Sequence, residues 1–472
     1  MARRALAVSG DLRSSEVDPG TVDNSCSMPP APGEAPRHDP CSGSSVSPGV
    51  KSVRRPLSTR GILGLILLAL ALPVIALGLS VPILVQRRWE RMQAECRTQE
   101  AELRARDPRR PVLRGEAVQG DAWEVYARAF KQLLAAGIPY QDFDYIDHPE
   151  LIDSESLQVL TERSLPTLEL ALSGTRRAEC RNLRDWEGTS AHMLGFWRLT
   201  APAIFRARHL SELGHARKAI ELLLDMVLLN GDLARGTPWT EANSPLWQQM
   251  RCLNELKALM STGILDPDDL RQLARELEIL DADVPRFGEG MRLAAMEAGF
   301  QIHRAQTIEA LFKEFEMGST PIPFWKRGSL GRLTLVNWYD LVRTTGTKVA
   351  EGDLKSWPEA ASATRRASAE LEASGNFLLS LWVLPKSKVD YIPIHKMFRD
   401  ALAQLRLLRA AALYSSDGTL PDAEDPYGGP LRWSKKGPVF RLWSRGVDGV
   451  DDGGSGGWNP KSSRDIVLEV RR

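Results

Sequence analysis

The stretch Ser211–Asp232, SELGHARKAIELLLDMVLLNGD, decides how the middle of this 472-residue chain folds. From Ala216 onward its apolar residues recur three and four positions apart, which places them on one face of a helix. Leu213-Gly214 breaks the pattern, because glycine accepts the backbone conformation that a tight turn needs. The small Ala219 lets a neighbouring helix approach closely. A helical pattern over 189–213 precedes the turn and one over 215–235 follows it, so the stretch reads as a helix–turn–helix. Working outward, the same periodicity recurs over 118–136, 153–173, 243–264 and 267–281. The start of the last pattern carries its own signals: Asp266 can cap, Pro267 suits the first helical position, and Asp268 and Asp269 face the positive end of the helix dipole. The expected fold is mainly α, an antiparallel helical stack.

The turn at Leu213-Gly214 followed by Lys218-Ala219-Ile220-Glu221 resembles the tetratricopeptide helix pair. The resemblance covers one pair, and no second copy follows at the period of about 34 residues that defines an array. Ordinary antiparallel packing of two helices reads the same residues equally well.

Toward the N-terminus, Gly61–Val85 reads GILGLILLALALPVIALGLSVPILV, about 25 residues without a charge. A hydrocarbon core of about 30 Å needs about 20 helical residues, so 61–86 is expected as one transmembrane helix, with Pro73 and Pro82 tolerated as kinks. A signal peptide is the alternative, but its apolar core would be about 7–15 residues behind a short basic leader. Met28 is a second candidate start, and a start there would shorten the leader. Residues 1–60 are rich in Pro, Ser, Gly and Asp and are expected to be disordered. Residues 87–107, without Gly and with Pro absent up to Asp107-Pro108, are expected to carry the helix onward as a charged stalk. Lys51, Arg54, Arg55 and Arg60 precede the span and Arg87, Arg88, Arg91 and Arg97 follow it, so the positive-inside rule sets no orientation.

Toward the C-terminus the helical domain, 108–393, gives way to a helix from Ile394 to Tyr414 with Phe398, Leu402, Leu405, Leu408 and Ala412 on one face. Segments 318–330 and 384–394 read as loops. After Tyr414 the period changes from 3.6 to 2. Leu431 and Trp433, Phe440 and Leu442, and Ile466, Leu468 and Val470 each alternate with polar or outward residues, which predicts three antiparallel strands within 394–472. The run Asp417-Gly418-Thr419-Leu420-Pro421, then Asp425-Pro426-Tyr427-Gly428-Gly429-Pro430-Leu431, Leu442-Trp443-Ser444-Arg445-Gly446-Val447-Asp448-Gly449 and Arg464-Asp465-Ile466 resembles the C-terminal part of the major pseudopilin of type II secretion. That resemblance covers about the last 75 residues. It implies a calcium-binding loop at Asp448 and Asp465, with Asp451 or Asp452 as further ligands, and an extracytoplasmic location for the folded part. Calcium takes about six to eight oxygen ligands, which acidic side chains and carbonyls of a Gly-rich segment can supply. A solvated acidic turn between strands is the plainer reading of the same residues. The chain departs from a pseudopilin in having no acidic residue in the apolar run and about 300 helical residues before the sheet, so polymerisation as a pilin is not expected. The overall plan resembles that of anchored proteins of large-genome, high-GC bacteria.

Lys+Arg 61 against Asp+Glu 60 gives no basic excess for nucleic acid. The five cysteines, at 26, 41, 96, 180 and 252, have neither a disulfide-framework nor a zinc-finger spacing and read as small apolar residues. Asp142, Asp144, Asp147, His148, Glu150 and Asp153 gather possible ligands, although no HExxH motif accompanies them. His192, His209 and His215 do not share a stripe. No GxSxG, phosphate-loop or dinucleotide motif is present. Two functions follow. One is a protein- or peptide-binding scaffold anchored in the inner membrane, linked to secretion by its C-terminal resemblance. The other is an envelope enzyme of hydrolase class.

Overall fold

The computed structural model describes residues 59–136, 154–181, 198–305, 329–378, 390–420, 422–458 and 464–471. By contacts the chain divides into two units, Met1–Leu68 and Ala69–Arg472. Helix α1 is a single helix over Thr59–Ala105, with Pro73 and Pro82 inside it. Taken over the residues whose side chains are described, no helix is long and apolar enough to cross a membrane. Within the expected span, positions 61, 62, 65, 74 and 77–79 lie outside that set.

The charged half of α1 is not a free stalk. Val85, Trp89, Met92 and Cys96 are buried, the last three against Leu293, Met296 and Phe300 of α8 (Phe287–Ala305) and Leu335, Val336 and Tyr339 of α9 (Ser329–Asp353). Arg88 reaches Asn337 at 2.7 Å and Asp340 at 2.5 Å. Local pattern does not reveal this packing, because Trp89, Met92 and Cys96 form a narrow three- and four-residue stripe among many charges.

The expected helix over 118–136 begins as a strand. β1 (Val118–Asp121) pairs in parallel with β2 (Arg177–Glu179) before α2 (Ala122–Ala135) starts. Asp121 ends the strand and caps the helix, accepting from Trp123 N–H at 2.9 Å. The helical stack follows as α3 (Ser154–Gly174), α4 (Thr200–Glu212), α5 (Ala216–Ala234), α6 (Trp239–Ser261) and α7 (Pro267–Ala282). Asp266 caps α7 as read from sequence, accepting from Asp269 N–H at 2.8 Å. Gly214 turns between α4 and α5 with φ +81. α8 and α9, and then α10 (Trp357–Leu378), were not separated in advance.

α11 (Ile392–Asp417) runs through the middle. Phe398, Leu405, Leu408 and Ala412 are buried as expected, but so are Ala401, Ala403, Leu407, Ala410 and Ala411, so the helix has apolar neighbours on nearly every side. It packs on α6 and α7 and carries a three-stranded antiparallel sheet, β3 (Arg432–Lys436), β4 (Val439–Ser444) and β5 (Ile466–Arg471), in the order β3-β4-β5. Leu223, Leu408, Phe440 and Ile466 belong to one core, so apolar packing is continuous across the 393/394 boundary drawn from sequence. The architecture is mainly α with this small C-terminal sheet, as the periodicities predict.

After α1 the chain crosses the stack on buried arginines. Arg110 is fully buried and paired with Asp232, equally buried, and its Nη2 donates to Gly174 O at 2.5 Å. Tyr126 donates to Asp232 at 2.7 Å. A Cβ on Gly174 would strike the Tyr126 ring, which explains glycine there. Removing one member of a buried pair leaves the other charge desolvated, a cost of about 3–5 kcal/mol. Arg110→Ala is therefore expected to lower the unfolding free energy of the full-length protein by that amount, read as a lower urea midpoint, and Arg109→Ala, whose Asp107 partner lies at the surface, to leave it unchanged.

Candidate functional site

Four segments surround a cleft with a volume of about 1020 Å³. They are the α7–α8 connection, the α9–α10 connection, the N-terminal half of α11 and the loop Asp425–Pro430. The loop is fixed from inside. Asp425 is buried, and its carboxylate accepts from Tyr427 N–H at 3.0 Å, Ser444 Oγ at 2.7 Å and Arg445 N–H at 2.8 Å. Gly428 takes φ +118, a conformation that side chains disfavour, and its N–H donates to Asp425 O at 2.8 Å. Tyr427 points inward and donates to Asp400 at 2.6 Å. Trp357 lies edge-on to Tyr427 and donates to Val447 O at 2.6 Å. Burial pushes the Asp425 and Asp400 carboxyls up, against the pull of these donors and of Lys396 beside Asp400.

Beneath the cleft, Asp353, His395 and Thr364 form a line. His395 Nε2 is 2.8 Å from Asp353 Oδ1, and its Nδ1 is 3.0 Å from Thr364 Oγ1. Arg399 donates to the same Asp353 oxygen at 3.1 Å, and Gly288 N–H to the other at 3.0 Å. Burial pushes the Asp353 carboxyl up, but the His395 hydrogen bond, the charges of His395 and Arg399 and the Gly288 N–H together hold it below the usual range. The order resembles a proton relay, yet His395 and Thr364 are 0% exposed. His395 is stacked on Phe287 at 4.7 Å and met edge-on by Trp357. A substrate atom has no route to Thr364 Oγ1, and the line acts as a structural pin.

The cations of the cleft are mostly spent in the same way. Arg399 also donates to Pro426 O at 3.0 Å, and Arg406 to Asp281 at 3.1 Å and Glu424 O at 2.8 Å. Arg286 and Lys355 at the rim are exposed, and among the described residues their side chains make no hydrogen bond or ion pair. Leu354 beside them is 67% exposed. Such a rim suits a ligand with an anionic group and an apolar part, held by contact and charge.

The sequence-derived candidates lie elsewhere. Asp448 accepts from Val450 N–H at 3.0 Å, and Asp451 from Gly453 N–H at 3.1 Å and Trp443 Nε1 at 2.9 Å, so both close turns. Asp465 is buried and accepts from Gly454 N–H at 2.9 Å. Burial first, then the charges of Asp451 and Asp452, push it up to about 6. Among the described residues no group of three or more His, Cys, Asp or Glu side chains is placed to hold a metal ion. Two of the loop's acids thus accept from backbone N–H groups of their own turns, while Asp465 Oδ1 is buried without a hydrogen-bond partner among the described residues. His209 and His215 are exposed and line no cleft, while His192 and the 142–153 cluster lie outside the described residues. Cys96, Cys180 and Cys252 are unpaired. Sequence reasoning missed Asp353, His395 and Arg399; the one available signal was four ionisable residues, His395, Lys396, Arg399 and Asp400, inside an otherwise apolar helix. No family model, no curated protein and no solved structure matches the chain.

Two measurements follow. A carboxyl raised on folding stabilises most below its unfolded value, about 3.8, and that contribution is lost as pH rises through about 6. Asp465→Asn is expected to remove this fall, so the wild-type and variant melting curves should diverge over that window; parallel curves would show Asp465 unperturbed. Because Asp448 and Asp451 each accept an N–H of their own turn, equal melting temperatures are expected in excess Ca²⁺ and in chelator. A higher value in Ca²⁺ would restore the calcium reading.

Proposed function

We propose that the protein is a membrane-anchored scaffold of the cell envelope that binds a protein or peptide partner. The observation that carries this reading is the surface of α1. Leu63, Ile66, Leu67, Leu68, Leu70, Leu72, Ile75, Ile83 and Leu84 are each 51–65% exposed. At about 100° per residue these positions spread round the whole helix rather than along one stripe. A helix apolar on every side is disfavoured in water and suits lipid, where its backbone bonds are all satisfied internally. The stretch without a charge extends over about 25 residues, roughly 37 Å at 1.5 Å each, enough to span a hydrocarbon core with some tilt.

The scaffold reading is supported by the cleft, where Arg399, Arg406, Asp353 and Asp425 hold the walls and Arg286 and Lys355 are left at the rim. The C-terminal resemblance to a pseudopilin supports an inner-membrane anchor with the folded part extracytoplasmic and a partner within secretion. The hydrolase alternative has the Asp353–His395–Thr364 line in its favour, and the full burial of His395 and Thr364 against it.

Cell fractionation tests the anchor. The full-length protein is expected in the membrane fraction, resisting alkaline carbonate and leaving only with detergent. Recovery as freely soluble protein with no lipid-associated fraction would overturn the reading. In the same membranes, a photo-crosslinker at Leu354 is expected to capture one partner, and the yield should fall in Arg286→Glu/Lys355→Glu.

A further inference from the structure

We infer that the free edge of β3 is a docking site for an extended, acidic segment of a partner, which adds to the sheet as a fourth strand. This deepens the scaffold reading by naming the class of partner, but it rests on surfaces distinct from α1 and from the cleft.

The argument begins with the hairpin. Lys436 and Val439 flank the two-residue turn Gly437-Pro438, with Gly437 at φ +61 in its first central position. Residues flanking such a turn exchange both hydrogen bonds, and alternation makes Ser434 with Arg441 and Arg432 with Trp443 the next bonded pairs. Trp433 and Lys435 then turn their N–H and C=O groups away from β4. Among the described residues neither makes a backbone hydrogen bond outside the ladder. The opposite edge of the sheet is different. There Gly457 lies beside β5, accepting from Val467 N–H at 3.2 Å.

A groove accompanies the open edge. Leu431 N–H donates to Ala423 O at 2.9 Å, after which the two segments diverge. They leave a cavity of about 380 Å³ among Ala410, Leu420, Ala423, Leu431, Trp433 and Leu442. Trp433 pairs across the ladder with Leu442, so it lies on the sheet face that looks toward α11, yet it is 56% exposed. An added strand would place every second side chain in this groove, beside Trp433, and the intervening ones outward.

Charge selects the occupant. β3 reads RWSKK, and Lys435 and Lys436 are exposed, with no ion pair among the described residues. Arg432 has only Asp451, at 3.5 Å. Exposed lysines on an edge discourage casual pairing. They do so most strongly against a second copy of this chain, which would bring the same three cations opposite one another. An acidic strand reverses the sign of that interaction. Asp422, at the far end of the groove, is the one acid among the residues that line it.

The test uses full-length protein in detergent and a fluorescent peptide of about eight residues alternating glutamate and valine, read by anisotropy. Saturable binding is expected, weakened roughly tenfold or more in Lys435→Glu/Lys436→Glu. A lysine–valine peptide should bind that variant better than wild type, a charge swap that a merely damaged fold would not produce. N-methylation of alternate peptide amides should abolish binding, because strand addition depends on backbone donors. Equal binding of acidic and basic peptides, or undiminished binding of the methylated one, would overturn the proposal. So would concentration-dependent dimerisation lost in Trp433→Ala, which would assign the edge to a second copy. A soluble protein on fractionation would remove the membrane anchor while leaving this result intact.

Discussion

A helix enclosed by apolar neighbours cannot leave a charge in place without a partner, and between His395 and Arg409 α11 carries seven ionisable or amide side chains under that constraint. Each is resolved by reaching a different part of the molecule. His395 meets Asp353 and Thr364, Lys396 pairs with Asp400, and Asp400 accepts from Tyr427. Arg406 reaches Asp281 on α7, Arg409 reaches Glu278 at 2.6 Å, and Gln404 donates to Trp458 O at 3.4 Å. The polar groups of one helix thus fix α7, the α9–α10 connection, the Asp425–Pro430 loop and the segment before β5. A buried pair adds little net stability over an apolar one, but an unmade pair costs several kcal/mol, roughly. Packings that misplace any of these neighbours are therefore penalised.

The same logic governs the crossing after α1. Arg110 and Arg114 leave an irregular segment for the interior, where Arg110 meets Asp232, and Arg114 meets Asp225 and Glu276. Burial pushes the Asp225 carboxyl up to about 6, against the opposing pull of Arg114. Glu276 is fully buried and is shared with Arg217 at 2.9 Å. An almost neutral total charge is what such matching leaves behind.

Periodicity carried most of the fold into view. The helix–turn–helix at Gly214, the cap at Asp266, the enclosed face of α11 and the three strands are all local patterns whose physical cause lies within a few residues. What was not legible is what depends on distant partners. β1 is four residues long and forms only because β2 lies beside it, some sixty positions later. The stripe Trp89, Met92, Cys96 gains meaning only from Leu293 and Tyr339. The candidate cleft was half legible. DPYGGP marked the loop, and its Asp425 and Gly428 act through local backbone bonds. Asp353 and Arg286 carry no local signature, since nothing near them in sequence indicates that α11 will bring them together. The acidic loop shows a local competition: its spacing suits a cation, and Asp448 and Asp451 each also accept from an N–H of their own turn, as short acidic side chains next to glycine commonly do.

This internal spending of charge bears on how the molecule can meet another. Where the charged groups of α11 and of the crossing after α1 are committed to one another, recognition uses groups that folding leaves over. Among the described residues these are few and of distinct kinds: the apolar surface of the first half of α1, the rim cations Arg286 and Lys355, and the backbone edge of β3 with Lys435 and Lys436. None of the three needs a group to be withdrawn from the core before it can act. The first suits lipid by being uniformly apolar. The second suits an anion at the mouth of a rigid cleft. The third suits a strand, because only another backbone can satisfy outward N–H and C=O groups in register. A protein built this way binds by offering fixed, unspent surfaces, and its specificity follows from which chemistry each of them lacks.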